Sequence, residues 1–311
     1  MIKIQEEASF PSSIYTRNTF LRSLVVDCNY GTYPKIVLSK LVDQLTCLRS
    51  LSLNKCSIEE IPLEINKLIH LRYLDLSENN NIEKLPDTLC EFYNLQILDI
   101  SWCGALRKLP QGIGNLINLR HLLNWGINNI RYMPKSLQQL TGLRILLLFV
   151  IKLENLIDAE NVKGIGFNNK ENLRDLDVDF EGSMNEVHDD EELLEYLPPL
   201  GNLPSLEILL VVGMKSVKRV DNEFLGIESD AISSSTSIIA FPKLKFLSFW
   251  RMEEWEEWNY DITNRVGDIS VMPSLKTLEI SGCPKLTSLP NHLRQMSTLK
   301  KEFYNCPLHD E

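Results

Sequence analysis

The sequence lacks a long apolar run. Its longest uninterrupted apolar segment, at positions 145–151, has seven residues, whereas a membrane-spanning helix needs about 20. The opening residues, MIKIQEEASF, also place acidic side chains where a secretory signal has its apolar segment. We therefore expect a cytoplasmic protein without a membrane span.

Signs of an oxidising compartment are missing as well. No N-x-[ST] glycosylation sequence occurs, and the seven cysteines are an odd number without paired clusters. Cys103 and Cys283 could suggest metal or redox chemistry, but no C-x-x-C pair accompanies either of them, which favours a packing role. A cell-surface receptor ectodomain is therefore not expected.

Catalytic motifs are absent. The five histidines share no metal-ligand spacing, and neither G-x-S-x-G nor H-E-x-x-H occurs. The G-x-x-x-x-G-K-[ST] phosphate loop is absent too, so ADP or ATP binding is not expected. The sequence predicts no enzymatic activity, no catalytic or metal site and no cofactor.

Basic charge is scarce overall. The chain has 32 Lys+Arg against 42 Asp+Glu, a net charge of -10, which argues against nucleic acid or an anionic membrane as the main partner. The balance is uneven, because residues 1–156 hold 17 basic and 14 acidic residues, whereas residues 157–311 hold 15 and 28. Either surface composition drifts along the chain, or the two halves face different partners.

A repeat dominates what is present. Residues 71–86, LRYLDLSENNNIEKLP, follow the L-x-x-L-x-L-x-x-N pattern of a leucine-rich repeat. Equivalent leucines recur at spacings of 23, 24, 24 and 24 residues: Leu48, Leu71, Leu95, Leu119 and Leu143. The L-x-L segment alternates inward and outward, as a short strand does. The predicted fold is α/β: a leucine-rich-repeat solenoid (horseshoe) with one short parallel strand per repeat on the concave face and short helical or irregular segments on the convex face.

The repeats change character along the chain. We predict a lead-in over residues 1–20, regular repeats over 21–156, and irregular repeats with insertions over 157–311 in the same continuous solenoid. In the last part the spacing between repeats lengthens to between 30 and 38 residues, at Leu173, Leu206, Leu244 and Leu275.

Three local features of the irregular part carry predictions. DDEELLEYLPP, at residues 189–199, predicts a short acidic helix that ends before Pro198. Residues 226–240 are rich in serine and predict a mobile surface loop. The unit from Leu299 lacks its second leucine, which predicts a frayed or capping repeat.

Turn positions and the residues after them are also patterned. Asparagine or cysteine stands at the turn in Asn79, Cys56, Cys103 and Cys283, where asparagine can bond the backbone of adjoining turns and cysteine packs as a small hydrophobe. Proline then follows an apolar residue and is expected at the first position of a brief helix, in Pro86, Pro110, Pro134 and Pro290. In the Leu119 unit, Asn124 replaces the third apolar residue, so we predict a distorted strand.

Recognition is expected at outward strand positions, since the inward leucines are occupied by the core. The candidate protein-binding residues combine an acidic stripe with exposed aromatic side chains. They are Tyr73, Asp75, Ile97, Asp99, Asp175, Asp177, Asp179, Phe246, Ser248 and Trp250. The alternative is that Asp75 and Asp99 are merely solvated and that Trp250 packs on the neighbouring insertion. Trp255 and Trp258 either anchor a partner or pin this insertion to the solenoid.

The irregular half carries a family resemblance. LPPLGNLPSLEIL at residues 197–209, GMKSVKRV at 213–220, WEEW at 255–258 and CPKLTSLPNHL at 283–293 form an ordered series. It resembles the leucine-rich-repeat region of plant coiled-coil nucleotide-binding leucine-rich-repeat disease resistance proteins. The resemblance implies a role in innate immunity and the defense response, in which the repeats bind a pathogen effector or a modified host protein.

The same resemblance implies regulation of a nucleotide-binding switch domain, in cis or in trans. The less acidic first half is then expected to dock on that domain, and the second half to meet the outside partner. Because this chain lacks the phosphate loop and a coiled-coil segment, an alternative stays open: a stand-alone repeat scaffold or decoy in protein-protein signalling.

Overall fold

The computed structural model describes residues 2–4, 20–26, 38–127, 129–130, 133–149, 167–179, 196–227, 237–260 and 269–310. The chain divides into two compact units. The first unit is Met1–Ile151 with Gly164–Gly166, and the second is Lys152–Lys163 with Phe167–Glu311. Residues 189–195 of the predicted acidic helix lie outside the described residues.

The described part of the first unit contains a parallel sheet with one strand per repeat. Its strands are β1 (Ile2–Ile4), β2 (Ser23–Val26), β3 (Ser50–Ser52), β4 (Tyr73–Asp75), β5 (Ile97–Asp99), β6 (His121–Leu123) and β7 (Ile145–Phe149). Consecutive strands pair in register, so that their central leucines form one buried row: Leu24, Leu51, Leu74, Leu98, Leu122 and Leu146. The predicted repeat unit is confirmed.

Short helices return the chain from one strand to the next. The described residues of the first unit include the α-helix α1 (Leu38–Gln44) and 3₁₀ helices at Leu63–Lys67, Asp87–Glu91, Ile113–Asn115 and Lys135–Gln139. Each buries apolar side chains, such as Ile65 and Leu89. The helical side of each repeat therefore closes the core opposite the sheet.

The predicted prolines stand outside their helices rather than at the first helical position, which corrects the prediction. Pro86, Pro134 and Pro290 each directly precede a helix, whereas Pro110 lies further upstream, because Gly112 precedes the helix Ile113–Asn115. Pro62, Pro86 and Pro134 are capping residues with extended ψ angles of 149°, 147° and 137°. Their carbonyls accept the first bond of the turn, from Ile65 N–H at 3.1 Å and from Leu89 N–H at 3.0 Å in the first two. A turn of only three to five residues leaves proline in the preceding extended segment.

Asn79 has the predicted role at the turn. Its side chain is fully buried, and its Nδ2 donates to the carbonyls of Leu53 at 2.8 Å and Leu76 at 2.7 Å. Its Oδ1 accepts the Ile58 N–H at 3.0 Å. One side chain thus satisfies backbone groups in two successive repeats.

The cysteines at equivalent positions are packed thiols, as predicted. Cys103 is 1% exposed and its Sγ donates to the Leu76 carbonyl at 3.2 Å. Burial raises the pKa of this thiol to about 12 and that of Cys283 to about 11. Both therefore stay protonated near neutral pH, which makes them poor nucleophiles.

The strand near Asn124 is more regular than expected. Strand β6 pairs with β5 over all three of its residues, so the predicted distortion is wrong on that side, and among the described residues it pairs with β7 through His121 and Leu122. The irregularity lies in the core instead. Asn124 is 1% exposed, and neither its side-chain nitrogen nor its oxygen has a hydrogen-bond partner.

In the second unit, each strand described in the main sheet has five residues. In its described part these are β8 (Asp175–Asp179), β9 (Ile208–Val212), β12 (Phe246–Trp250), β15 (Thr277–Ser281) and β16 (Lys300–Tyr304). Each neighbouring pair is parallel and in register over five residues. Strand β16 is therefore not frayed, and it is the outermost strand described in this sheet, as expected for a capping repeat.

The insertions of the second unit form two small parallel pairs. Strand β10 (Arg219–Val220) pairs with β13 (Glu257–Trp258), and β11 (Ile238–Ala240) pairs with β14 (Ile269–Val271). The predicted serine-rich loop is thus wrong at its carboxyl end, where β11 is ordered by pairing. Residues 228–236 of that loop lie outside the described residues.

Trp255 and Trp258 belong to an aromatic core, which decides between the two interpretations of WEEW. Their side chains are 0% and 3% exposed, and their ring centroids lie 5.2 Å apart. Phe249 lies 4.9 Å from the Trp255 ring, and Trp255 Nε1 donates to the Glu257 carbonyl at 2.9 Å. Both rings hold the insertion against the repeats, so neither is free to anchor a partner.

Candidate protein-binding surface on the strands

The outward positions of β4 and β5 form two rows in the first unit. Tyr73 stands beside Ile97, and Asp75 beside Asp99. In the next strand, His121 and Leu123 continue the same rows. The register of the sheet therefore brings the four residues predicted in this unit together.

Asp75 is held by its neighbours rather than solvated. It is 8% exposed, and its carboxylate accepts bonds from the Ser52 hydroxyl at 2.7 Å and the Tyr73 hydroxyl at 3.3 Å. Ser77 adds its backbone N–H at 3.0 Å and its hydroxyl at 2.5 Å. The alternative in which Asp75 is merely solvated is wrong, because its carboxylate accepts hydrogen bonds from Ser52 in the preceding repeat and from Ser77 in its own.

Asp99 accepts fewer hydrogen bonds than Asp75 does. It is half-buried and accepts the Ser101 backbone N–H at 2.9 Å. Burial raises its pKa, the bonds from Ser101 oppose this rise, and the charge of Asp75 adds to it. Burial likewise raises the pKa of Tyr73 to about 12, with Asp75 as the next cause. The carboxylates and the phenol thus share one poorly hydrated patch.

Two predicted residues of the second unit are buried although they stand at outward positions. Asp177 is 6% exposed and Ser248 is 1% exposed, and both flank Leu210 in register. Asp177 Oδ1 and Ser248 Oγ have no hydrogen-bond partner. Burial, and then the charge of Asp179, raise the pKa of Asp177 to about 7. Asp177 and Ser248 are therefore not accessible to a partner, contrary to expectation. Asp175 and Asp179, at the two ends of β8, are half-buried.

The carboxyl end of the second sheet is open and aromatic. Trp250 is 43% exposed, so its side chain is neither fully open nor fully packed away, and Phe246 is half-buried. Tyr304, two strands away in the same row, is 51% exposed. Sequence reasoning missed Tyr304, which the pairing of β16 with β15 places in this row.

Two further tryptophans were missed by sequence reasoning. Trp102 is 55% exposed and Trp125 is 44% exposed, in the turns that follow β5 and β6. The sequence contains a signal for both, because the equivalent residue one repeat earlier is polar: Glu78 for Trp102, and Ser101 for Trp125. Each of these two repeats thus presents a large aromatic side chain where the repeat before it has a polar one.

A row of arginines runs along the opposite, amino-terminal edge of the first sheet. We name it the arginine row: Arg22, Arg49, Arg72, Arg120 and Arg144, all with exposed side chains. The backbone holds the first three one strand apart, with Arg49 N–H donating to the Arg22 carbonyl at 2.7 Å and Arg72 N–H to the Arg49 carbonyl at 2.8 Å. Gln96 interrupts the row, because the Arg120 N–H donates to the Gln96 carbonyl at 2.8 Å. The sequence contains a signal for this row that was missed, because each arginine directly follows the leucine that opens its repeat.

Two kinds of site are not found within the described ranges. Among those residues, no three His, Cys, Asp or Glu side chains are grouped so as to hold a metal ion. The same part of the chain contains no helix of the length and apolar character required to cross a membrane.

Repeats that each add one parallel strand and one helical turn define a leucine-rich-repeat solenoid. The family model described as a leucine-rich repeat region matches residues 15–194, and the chain belongs to this family. A second model, described as R13L1/DRL21 leucine-rich repeats, matches residues 135–264.

The curated relatives are disease resistance proteins of Arabidopsis thaliana. The putative disease resistance RPP13-like protein 1 is 36% identical over 115 residues, which are 37% of this chain and 10% of that protein. The probable disease resistance protein RF45 is 45% identical over 60 residues, 19% of this chain and 5% of that protein. The chain thus spans about a tenth or less of these relatives, and it is a leucine-rich-repeat region related to plant disease resistance proteins.

Solved structures of low sequence identity also match. A leucine-rich-repeat protein of Leptospira interrogans aligns with a TM-score of 0.49 and 18% identity, over 97% of this chain and 89% of that chain. The leucine-rich-repeat domain of the type III effector XopL aligns with a TM-score of 0.45 and 18% identity, over 85% and 71% of the two chains.

Proposed function

We propose that this chain is the recognition region of a cytoplasmic plant disease resistance protein. It binds a protein ligand, either a pathogen effector or a modified host protein, and regulates a nucleotide-binding switch domain in the defense response. The ordered match to R13L1/DRL21 leucine-rich repeats over residues 135–264 is the observation that carries this proposal. The chain acts by binding and carries no catalytic step.

The ligand contacts the open end of the second sheet. Trp250 and Tyr304 are both about half exposed, in one row of the sheet, with Val212 and Ser281 in the same register. Tryptophan and tyrosine contribute much of the binding energy at protein interfaces, because they bury a large area at low cost in conformational entropy. Asp179 begins this row on β8 and supplies a charge.

The switch domain docks on the arginine row of the first unit. Guanidinium groups bind carboxylates in a bidentate manner, so a row of exposed arginines suits an acidic protein surface. Such an interface weakens as salt rises, since exposed charges are screened.

A pull-down with the complete chain tests this docking. The triple variant R49Q/R72Q/R144Q should lose most of its binding to the nucleotide-binding segment of a related resistance protein. The matched variant K215Q/K243Q/K276Q, which removes three exposed charges from the second unit, should keep it. Equal losses in the two variants would contradict the assignment of docking to the first unit.

Co-expression in leaf tissue tests the regulatory role. The chain is expressed with the coiled-coil and nucleotide-binding segment of a related resistance protein, and cell death is scored. The proposal expects the repeats to suppress or license cell death, and the triple arginine variant to lose that effect. No effect of the wild-type chain would favour the stand-alone scaffold or decoy.

A further inference from the structure

We propose that Asp99, Trp102 and Trp125 form a receptor for a single arginine or lysine side chain of the partner protein. This inference rests on the proposed function and names the chemistry of one contact. The occupant is a cation on a protein, placed between a carboxylate and two exposed indole rings.

The first observation is that Trp102 is a bulky, exposed side chain on an unfavourable backbone. Its φ angle is 60°, in the left-handed region that bulky residues rarely adopt. The repeat imposes this conformation, because the equivalent residues Lys55, Glu78 and Gly126 have φ angles of 57°, 60° and 64°. The ring packs on Gly126 of the next repeat, and 55% of the Trp102 side chain stays exposed. More than half of this large aromatic side chain is therefore open to a partner, at a turn whose backbone conformation is set by the repeat.

The second observation is that hydrogen bonds connect the two tryptophans to the carboxylate. The backbone N–H of Trp102 donates to the Trp125 carbonyl at 2.5 Å, and the backbone N–H of Trp125 donates to Ser101 Oγ at 3.2 Å. Ser101 in turn donates its backbone N–H to Asp99 at 2.9 Å. The turns after β5 and β6 are thus tied to Asp99, and the rings are carried by a fixed backbone.

The third observation is that Gly126 makes room for the Trp102 ring. A Cβ atom at Gly126 would lie 2.2 Å from Trp102 Cε3, so the ring lies directly over this glycine. The ring position is therefore defined by the next repeat. A preorganised ring loses little conformational freedom when a partner binds.

The fourth observation is that Asp99 lacks the donors that Asp75 has. Asp75 receives bonds from Ser52 on the preceding strand and from Tyr73 on its own. The residues that correspond to these two beside Asp99 are Asp75 itself and Ile97, and neither side chain can donate there. Among the described residues, Ser101 is the donor that supports the Asp99 charge, which leaves acceptor capacity for a ligand.

Charge complementarity selects the occupant. In the described residues, the outward positions of β3 to β7 hold two carboxylates and one imidazole but no lysine or arginine. The nearest lysine in the turn row, Lys55, is paired with Glu78 at 3.0 Å. A cation between a carboxylate and the faces of tryptophan rings gains from both, because the rings carry negative potential on their faces. An acidic or purely apolar contact would leave Asp99 without a counter-charge.

Fluorine NMR of the complete chain labelled with 5-fluorotryptophan tests the receptor. The probes are two pentapeptides, acetyl-Gly-Gly-Arg-Gly-Gly-amide and its citrulline analogue, which keeps the shape but removes the charge. Signals are assigned with W102F, W125F and W250F variants. The arginine peptide should shift the Trp102 and Trp125 signals saturably and leave Trp250 unmoved, whereas the citrulline peptide should shift neither at the same concentration.

A matched pair of variants controls the test. D99N should reduce the apparent affinity for the arginine peptide at least tenfold, and D87N, which removes an exposed carboxylate on the helical side, should leave it unchanged. Thermal melting of both variants checks that they are folded. Equal shifts with both peptides, an unchanged D99N titration or the absence of any shift would overturn the receptor. The leaf assay reads the proposed function separately: regulation by the wild-type chain together with silent peptide titrations overturns the receptor alone.

Discussion

Individual residues show that an outward position on a strand is not the same as an exposed one. Alternation along β8 and β12 places Asp177 and Ser248 on the outward side, yet both are buried and lack hydrogen-bond partners. Sequence reasoning could predict the direction of these side chains. It could not predict their burial, because burial depends on neighbours that register brings from other strands, such as Leu210.

The Asp177 carboxyl should make stability depend on pH. Its folded pKa of about 7 lies above its ordinary value of 3.8, so the folded state holds the proton more tightly than the unfolded state. This contribution to stability is complete below about pH 4 and is lost as pH rises through about 7. D177N should therefore be close to wild type at pH 4 and more stable by about 4 kcal/mol at pH 8 in urea unfolding, since the pKa differs by about three units between the two states. The same difference at both pH values would contradict this account.

Asn124 should be a site where the wild-type residue is not the most stable one. It occupies a core position that neighbouring repeats fill with Leu76 and Ile100, and its amide has no partner. N124L should raise the free energy of unfolding by about 1–3 kcal/mol, since a buried polar group without partners costs this much. The matched substitution N79L should do the opposite, because Asn79 bonds two repeats. Chemical denaturation of both variants gives the two signs.

At the scale of elements, the short helices that lead from one strand to the next set how closely neighbouring repeats pack, and they were harder to predict than the strands. Leucine spacing could predict the strands, because the period of the leucines and the parallel register are one pattern. Helix positions followed less directly: Pro86 was placed one residue too far into its helix. The left-handed turn at Trp102 had no sequence signal, since its equivalents are a lysine, a glutamate and a glycine.

Gly114 should be required where two helical turns meet. A Cβ atom there would lie 2.2 Å from the Ser136 carbonyl oxygen in the next repeat, and backbone cannot move aside as a flexible side chain can. G114A should destabilise the protein by about 1–3 kcal/mol, the usual cost of overpacking. Gly104 is the control, because its nearest atom lies at 3.5 Å, and G104A should stay within about 0.5 kcal/mol of wild type in the same melt.

At the scale of the whole molecule, the regular repeats predict the architecture and the irregular repeats indicate the family. The even spacing from Leu48 to Leu143 could predict the architecture, and the ordered motifs from residue 197 onward could indicate the family. The Leu-Arg pairs that open the regular repeats could also have indicated the arginine row. The exposure of Tyr304 could not be predicted, because it depends on which side chains the register brings beside it.

The tryptophans of the second unit should separate binding from folding. Trp250 is 43% exposed, so W250A should weaken binding of a protein ligand while shifting the melting temperature little. Trp255 is fully buried among Phe249 and Trp258, so W255A should cost about 3–5 kcal/mol of stability. Calorimetry of both variants beside a pull-down reads the two effects. A collapsed melting temperature in W250A would favour a packing role for that residue.

The bonds of Asn79 have a consequence for how the solenoid opens. The amide proton of Ile58 and the carbonyl of Leu53 are both satisfied by a side chain that belongs to the following repeat. If that following repeat unravels, Ile58 loses the acceptor that shields its amide from exchange with solvent. Protection from hydrogen exchange is therefore passed backward along the chain, and a local opening at one repeat is felt by the repeat before it.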